Sequence, residues 1–248
     1  MTLAFPTRDG LRAAGFRGLR VVGDVHGEAV AFAAAIAGAA ESRLFVVQLG
    51  DLTDRGPDSP DVLRRMFALL DAGRGLFILG NHDHKLRRAL LGRAVSTEAS
   101  GLALTLDQLA AAPDGRELSA RAIEEISRAP AWLRMGDWGF VHGAWLQAMA
   151  HTPPPPDAGA RKPDALLSRA LFGEATGRRN ADGTPERLLD WVDRLPPGFR
   201  VWVGHDRRST DDRPHVLHGR RGGTATFLDT GAGKGGPLAW IDLSFTCD

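Results

Sequence analysis

Five short clusters in this 248-residue chain carry side chains of metal-ligating type. They are Gly23-Asp24-Val25-His26-Gly27, Gly50-Asp51-Leu52-Thr53-Asp54-Arg55-Gly56, Gly80-Asn81-His82-Asp83, Val141-His142-Gly143 and Gly204-His205-Asp206. Mixed carboxylate, imidazole and amide donors suit divalent ions of the Mn, Fe or Zn kind better than Ca or Mg. Two such ions, roughly 3.5–4 Å apart, can share a hydroxide and clamp a phosphoryl group during in-line attack. The donors divide accordingly. Asp24 and His26 suit one ion, and Asn81, His142 and His205 suit the other. Asp51 is the natural bridge, because its cluster lies between the two sets.

The clusters sit where an α/β fold would bring them together. Residues 19–23, 44–49 and 76–79 are apolar runs that read as buried strands, and each ends in Gly-Asp or Gly-Asn. Residues 28–40 are Ala-rich and read as a helix. Residues 58–70 place Val62, Met66, Leu69 and Leu70 at helical spacing, with Pro60 and Asp61 as start signals. Strands alternating with helices predict an α/β layout, in which ligands collect beyond the C-terminal strand ends. Residues 93–130 read as a small helical insertion, and 132–141 as a hairpin turning at Gly136-Asp137. Pro153 to Pro156 mark a stiff loop. Short helices are expected at 163–172 and 185–195 and a strand at 200–204. Two further strands, at 224–229 and 237–243, are expected to be joined as a hairpin by the Gly-rich turn 231–236.

The form Gly-Asp-x-His-Gly, Gly-Asp-x-x-Asp-Arg-Gly, Gly-Asn-His, followed by two later His motifs, resembles the calcineurin-like metallophosphoesterases. Within them it is similar to the serine/threonine phosphoprotein phosphatase branch. Three further stretches resemble the phosphatase module of bacterial polynucleotide kinase-phosphatases, a likeness that runs over roughly residues 19–243. They are Asn81-His82-Asp83-His84-Lys85-Leu86-Arg87-Arg88-Ala89-Leu90, Leu171-Phe172-Gly173-Glu174-Ala175-Thr176-Gly177, and Leu228-Asp229-Thr230-Gly231. The resemblance implies a four-layer αββα sandwich of two mixed sheets, with the small helical insertion, as a single domain over residues 1–248. It also implies two divalent ions, with Mn first and Fe, Zn or Ni as alternatives. By position, His82 would be a general acid oriented by Asp54, and Arg55 would hold phosphate oxygens. Asn81 would be both ligand and phosphate contact. Asp229 would sit by the first ion, directly or through water. One position departs from the pattern. Where many members have a second His in the fifth cluster, this chain has Arg207, which leaves the first ion fewer protein ligands.

The implied activity is hydrolysis of phosphomonoesters, with a phosphoprotein or a nucleotide or polynucleotide phosphate as substrate. Two alternatives stand beside it. Dinucleoside polyphosphate hydrolases share the Gly-Asp and Gly-Asn-His-Asp pattern but usually lack an Asp at the position of Asp54. A catalytically inactive module that only holds a phospho-ligand would be expected to have lost a ligand, and none is missing.

Composition narrows the field further. A net charge of +1 excludes a nucleic-acid binder that relies on bulk charge, though not a local basic patch. The single Cys247 cannot build a disulfide framework or a cysteine zinc site. No apolar run approaches the ~20 residues of a membrane helix, and residues 1–10 lack a signal-peptide core. A cytoplasmic protein with no obligatory protein partner is expected. His151, His215 and His218 are expected to face solvent.

Overall fold

The structure, a computed structural model, describes residues 6–97, 101–180, 183, 185–209 and 211–245. Cys247 lies outside the described residues. The elements run α1 (Arg8–Ala13), β1 (Gly18–Val22), α2 (Ala29–Glu41), β2 (Leu44–Gln48), α3 (Ser59–Asp71), β3 (Gly75–Phe77), α4 (Asn81–Leu90), α5 (Leu102–Ala111) and α6 (Gly115–Arg128). They continue as β4 (Trp132–Met135), β5 (Trp138–Val141), α7 (Ala165–Phe172), β6 (Ala175–Arg179), β7 (Pro185–Arg187), β8 (Arg200–Val203), β9 (His215–His218), β10 (Thr224–Phe227) and β11 (Trp240–Ser244).

Two mixed sheets form the body. The first has the order β11-β1-β2-β3, with β1, β2 and β3 parallel and β11 antiparallel to β1. The second has the order β4-β5-β8-β10-β9, with β5, β8 and β10 parallel and antiparallel strands at both edges. Alternation along the strands makes the sandwich. Leu19 and Val21 of β1 and Phe45 and Val47 of β2 pack with Leu133, Trp138, Phe140 and Trp202 of the second sheet. The intervening residues Val22, Leu44 and Val46 face a separate cluster containing Phe32 and Ala35 of α2 and Val62 and Met66 of α3. Both β1 and β2 are therefore buried on both faces, as their largely apolar runs foretold, with Arg20 and Gln48 the polar exceptions.

The helices that lead into the site have local causes. In α3 the Asp58 carboxylate accepts from Asp61 N, Pro60 occupies the first turn, and Val62, Leu63, Met66 and Phe67 form its buried stripe. Helix α4 starts directly at Asn81, so the third cluster forms a first helical turn.

Two expectations are corrected. Residues 185–195 are not a helix: 185–187 pair with β6, and only Val192–Arg194 make a short 3₁₀ turn. The helical spacing of Leu188, Leu189, Trp191, Val192 and Leu195 misled the reading. Glu186 instead bonds Thr176 Oγ1 and Arg178 across the β6–β7 pair. The strands around 231–236 are not a hairpin either. β10 lies in the second sheet and β11 in the first, so the Gly-rich segment is a crossover between sheets.

Candidate metal and phosphate site

The clusters converge where the C-terminal ends of β1, β2, β5, β8 and β10 meet the N-terminus of α4. Glycine at two strand ends is a matter of space. A Cβ on Gly80 would lie 2.3 Å from Asp51 N and Oδ1, and one on Gly204 would lie 2.3 Å from Asp24 Oδ1. Neither contact can exist with a side chain present. Backbone strain gathers at the same place. Among the described residues seven non-glycine residues have positive φ, and five of them are His26 (45°), Asp51 (57°), Asp54 (77°), Arg55 (71°) and His205 (61°). Such conformations cost about 1–3 kcal/mol each and persist only where the surroundings over-determine them.

Asp51 is the centre. Its Oδ1 lies 3.3 Å from His142 Nε2, and its Oδ2 lies 3.8 Å from His26 Nε2 and 3.9 Å from His82 Nε2. Two donor groups share it: His26, Asp51 and His82 on one side, and Asp51, His142 and His205 on the other, with ligand atoms within 4.8 Å of one another. Asp24 Oδ2 adds a carboxylate 4.0 Å from His26 Nε2, and Asn81 Oδ1 sits 2.9 Å from His142 Nε2. Asp229 is buried beside Asp24, and its Oδ1 accepts from Gly231 N at 2.9 Å.

The imidazoles are set for ligation. His26 Nδ1 donates to Thr53 O at 2.9 Å and His142 Nδ1 to Leu49 O at 2.8 Å. A carbonyl only accepts, so both rings carry a proton on Nδ1 and present Nε2 to the cluster. This donor chemistry fits divalent cations, and Asp51 is placed to serve two.

Charges are strongly coupled. Burial, then Asp229, push the Asp24 carboxyl well above the carboxylate range. Burial pushes His26 down to about 4. Burial also works against charging His142, but the Asp51 charge beside it prevails and raises it to about 10. Burial opposes the ionised form of Asp51 as well, yet His142 and His82 hold it well below its usual value. Burial, then His142 and Arg187, drive His205 well below its usual value. A site that packs carboxylates this tightly, pushing Asp24 up and holding a charge on His142 through Asp51, is matched to cations from outside the chain.

His82 is tied both to Asp51 and to a second carboxylate, Asp54. His82 Nδ1 lies 2.5 Å from Asp54 Oδ2, and Thr105 Oγ1 donates to Asp54 Oδ1 at 2.8 Å. Burial opposes protonation of His82, but Asp51 and Asp54 outweigh it, and its pKa is raised. Arg55 follows Asp54 directly, and its Nε is buried with no hydrogen-bond partner among the described residues. An unpaired buried guanidinium donor beside this cluster is suited to an anion.

All the expected site residues therefore come together. Reading the sequence missed four others. Asp83 accepts from Asp51 N (2.8 Å), Leu52 N (3.0 Å) and Gly80 N (3.0 Å), locking α4 to the end of β2. Its carboxyl rises to about 6, chiefly through burial. Gln48 clamps the strand ends, accepting from Gly50 N and donating to Gly50 O and Gly23 O. A lone amide in an otherwise apolar strand was its signal. Thr105 reaches the site from α5. Arg187, on β7, donates to His205 Nε2 at 2.8 Å and to Phe172 O. One lone pair cannot serve both Arg187 and a metal ion. No sequence pattern pointed to either of these two. His151 and His218 are exposed and His215 is half-buried on β9. His84 is buried, with Nε2 3.2 Å from Arg161 O, and burial lowers its pKa.

The family model for the calcineurin-like phosphoesterases matches residues 19–206. The chain is 30% identical over 192 residues to the bis(5′-nucleosyl)-tetraphosphatase PrpE of Geobacillus thermodenitrificans, covering 77% of this chain and 71% of that protein. It is also 30% identical over 198 residues to the PrpE of Halalkalibacterium halodurans, with the same coverage. In fold it is similar to a protein serine/threonine phosphatase from Saccharomyces cerevisiae, at a TM-score of 0.55 and 14% identity. That match covers 95% of this chain and 82% of the other. It is likewise similar to the cold-active protein-tyrosine phosphatase of a psychrophilic Shewanella, at a TM-score of 0.56 and 18% identity, covering 93% and 76%. No helix among the described residues is long and apolar enough to cross a membrane. With strand-end clusters in the family's order and a model match over most of its length, the chain belongs to the calcineurin-like phosphoesterase family, hydrolases of phosphoesters.

Proposed function

We propose that the chain hydrolyses phosphomonoesters at a two-ion centre, with His82 as general acid. Asp24, His26, Asp51 and Asp229 would hold the first ion, and Asp51, Asn81, His142 and, with Arg187 displaced from its Nε2, His205 the second. Manganese suits this oxygen–nitrogen donor set, and no thiolate is needed. When bound, the two ions supply Lewis acidity and lower the pKa of the attacking water.

The remaining work falls to side chains. The single observation that carries the reading is the His82 Nδ1–Asp54 Oδ2 contact of 2.5 Å. Asp54, fixed by Thr105, holds the ring so that a proton on Nε2 faces the cluster. Asp51 and Asp54 favour that proton on His82, where it faces the leaving oxygen. Arg55 and Asn81 hold the phosphoryl oxygens in line, and Arg55 stabilises the charge that builds on them.

The names of the curated relatives favour a second reading, the asymmetric cleavage of dinucleoside polyphosphates. In that case His82 would protonate a phosphate oxygen, a much weaker base, and its removal would matter less.

Turnover of p-nitrophenyl phosphate tests the shared part. Protein stripped with chelator should be inactive, and added manganese should restore activity. Full activity without metal, or none with any divalent ion, overturns the proposal.

A further inference from the structure

The Gly-rich crossover 231–236 does more than join the two sheets. It begins just past Asp229, whose Oδ1 holds Gly231 N at 2.9 Å. From there its backbone runs against the first half of the site. A Cβ on Gly233 would lie 2.7 Å from His26 Cβ, 3.0 Å from His26 O and 3.1 Å from Arg55 Cβ. The loop backbone is therefore packed directly on an expected metal ligand and on the expected phosphate contact. His26 in turn meets His82 edge-on, with ring centroids 4.9 Å apart. The loop and the acid thus flank one imidazole, which sets the loop beside the part of the site where the leaving group is protonated.

The loop is held in shape. Thr230 Oγ1 donates to Pro237 O at 2.6 Å across its base, and Lys234 N and Gly236 N donate to Gly231 O at 2.9 and 3.0 Å. Thr230, Gly231 and Ala232 are buried, whereas Lys234 and Gly235 at the tip are exposed. Lys234 follows Gly233 directly, so its Cα stands about 3.8 Å from the one packed on His26 and Arg55. Its ammonium rides on a flexible four-carbon stem and has no hydrogen bond or ion pair to any described residue. Acids close in sequence are engaged: Asp229 with Gly231 N, Asp206 with Arg208 at 2.9 Å, and Asp212 with Arg207 at 3.6 Å. The other five residues of 231–236 are four glycines and an alanine. A single long cation on a fixed backbone beside the reaction centre is placed to meet an anion.

We propose that Lys234 binds a leaving group that itself carries phosphate, and so sets the chain's preference for such substrates over simple phosphomonoesters. This rests on the reading of His82 as the acid at the leaving oxygen. A dinucleoside polyphosphate and a 3′-phosphorylated oligonucleotide both release a phosphate-bearing product. p-Nitrophenyl phosphate releases a group with no phosphate and gains nothing from Lys234.

The test compares the manganese-loaded wild type with Lys234→Gln and Lys234→Arg on p-nitrophenyl phosphate, diadenosine tetraphosphate and a 3′-phosphorylated oligonucleotide. Lys234 is exposed at a loop tip, so neither change disturbs a packed contact. Lys234→Gln should lower kcat/KM on at least one of the longer substrates about three- to tenfold more than on p-nitrophenyl phosphate, the size of one exposed charge-assisted contact. The substrate that suffers more identifies the source of the phosphate. Lys234→Arg keeps the charge and should restore most of the difference, which a merely structural role would not predict. A difference below about threefold, or the same difference in both variants, overturns the proposal. A wild type that hydrolyses p-nitrophenyl phosphate alone overturns it too. Should the wild type hydrolyse none of the three with any divalent ion, the hydrolase reading fails, and Lys234 is judged by calorimetry with inorganic tripolyphosphate and orthophosphate. A loss of tripolyphosphate affinity in Lys234→Gln at least about threefold greater than that of orthophosphate then supports the proposal. Parallel losses, or no binding to the wild type, overturn it.

Discussion

The two sheets contribute unlike halves of the site. The first supplies Asp24, His26, Asp51, Asp54, Arg55, Asn81 and His82, most of them on tight loops held by a second layer of hydrogen bonds. Asp83 and Gln48 alone fix six backbone contacts there. The second sheet supplies His142, His205 and Asp229, each from a separate strand end. Only His142 is anchored by its own ring to a neighbouring strand end, at Leu49 O of the first sheet. His205 Nε2 is instead engaged by Arg187 from the small β6–β7 pair. The carboxylate-rich half is built as a rigid platform. The imidazole half is assembled against it, and Asp51 is where the two halves meet.

The sharpest way to break this comparison is Asp51→Asn. With the shared carboxylate neutralised, both ions should weaken, and kcat/KM should fall roughly a thousandfold or more. Metal content by mass spectrometry should fall from two ions per chain. A variant that keeps two tightly held ions would separate the halves.

A smaller effect is expected at Asp54→Asn, within the rigid half. His82 is raised by Asp51 and Asp54, so its acid form is present at low pH and is lost as pH rises through a value above 6.5. Removing the Asp54 charge lowers that value. The basic limb of the kcat/KM profile on an alkyl phosphate should move to lower pH, with activity at pH 8 falling about ten- to a hundredfold. An unmoved limb would remove Asp54 from its positioning role.

Asp229→Asn probes the assembled half and should cost least. Asp24, His26 and Asp51 still hold the first ion, so manganese affinity should fall about tenfold while kcat at saturating metal changes little. A loss as large as that of Asp51→Asn would show that Asp229, not Asp51, organises the first ion.

The same contrast explains what could be read in advance. In the first half, each apolar strand runs directly into its chemical residues, so Asp24, Asp51 and Asn81 announced both their strand and their place in the cluster. The later part of the chain is built from pairings that its local pattern does not show. β8 and β10 pair in parallel, β11 crosses back to β1, and β7 pairs with β6 although its neighbours have helical spacing. Local pattern cannot specify such partners, which is why 185–195 and 231–236 were misread. Thr105 and Arg187 arrive from elements with no motif. The positive φ angles of Asp54 and Arg55 arise from how the loop is held, and residue type gives no sign of them.

The most direct measurement is the leaving-group dependence of His82→Ala. A general acid matters in proportion to the basicity of the oxygen it protonates. The variant should lose roughly a hundred- to ten-thousandfold in kcat/KM on an alkyl phosphate. On p-nitrophenyl phosphate, whose leaving group needs no proton, the loss should be about tenfold or less. Equal losses on the two substrates would contradict the assignment of His82 as the acid.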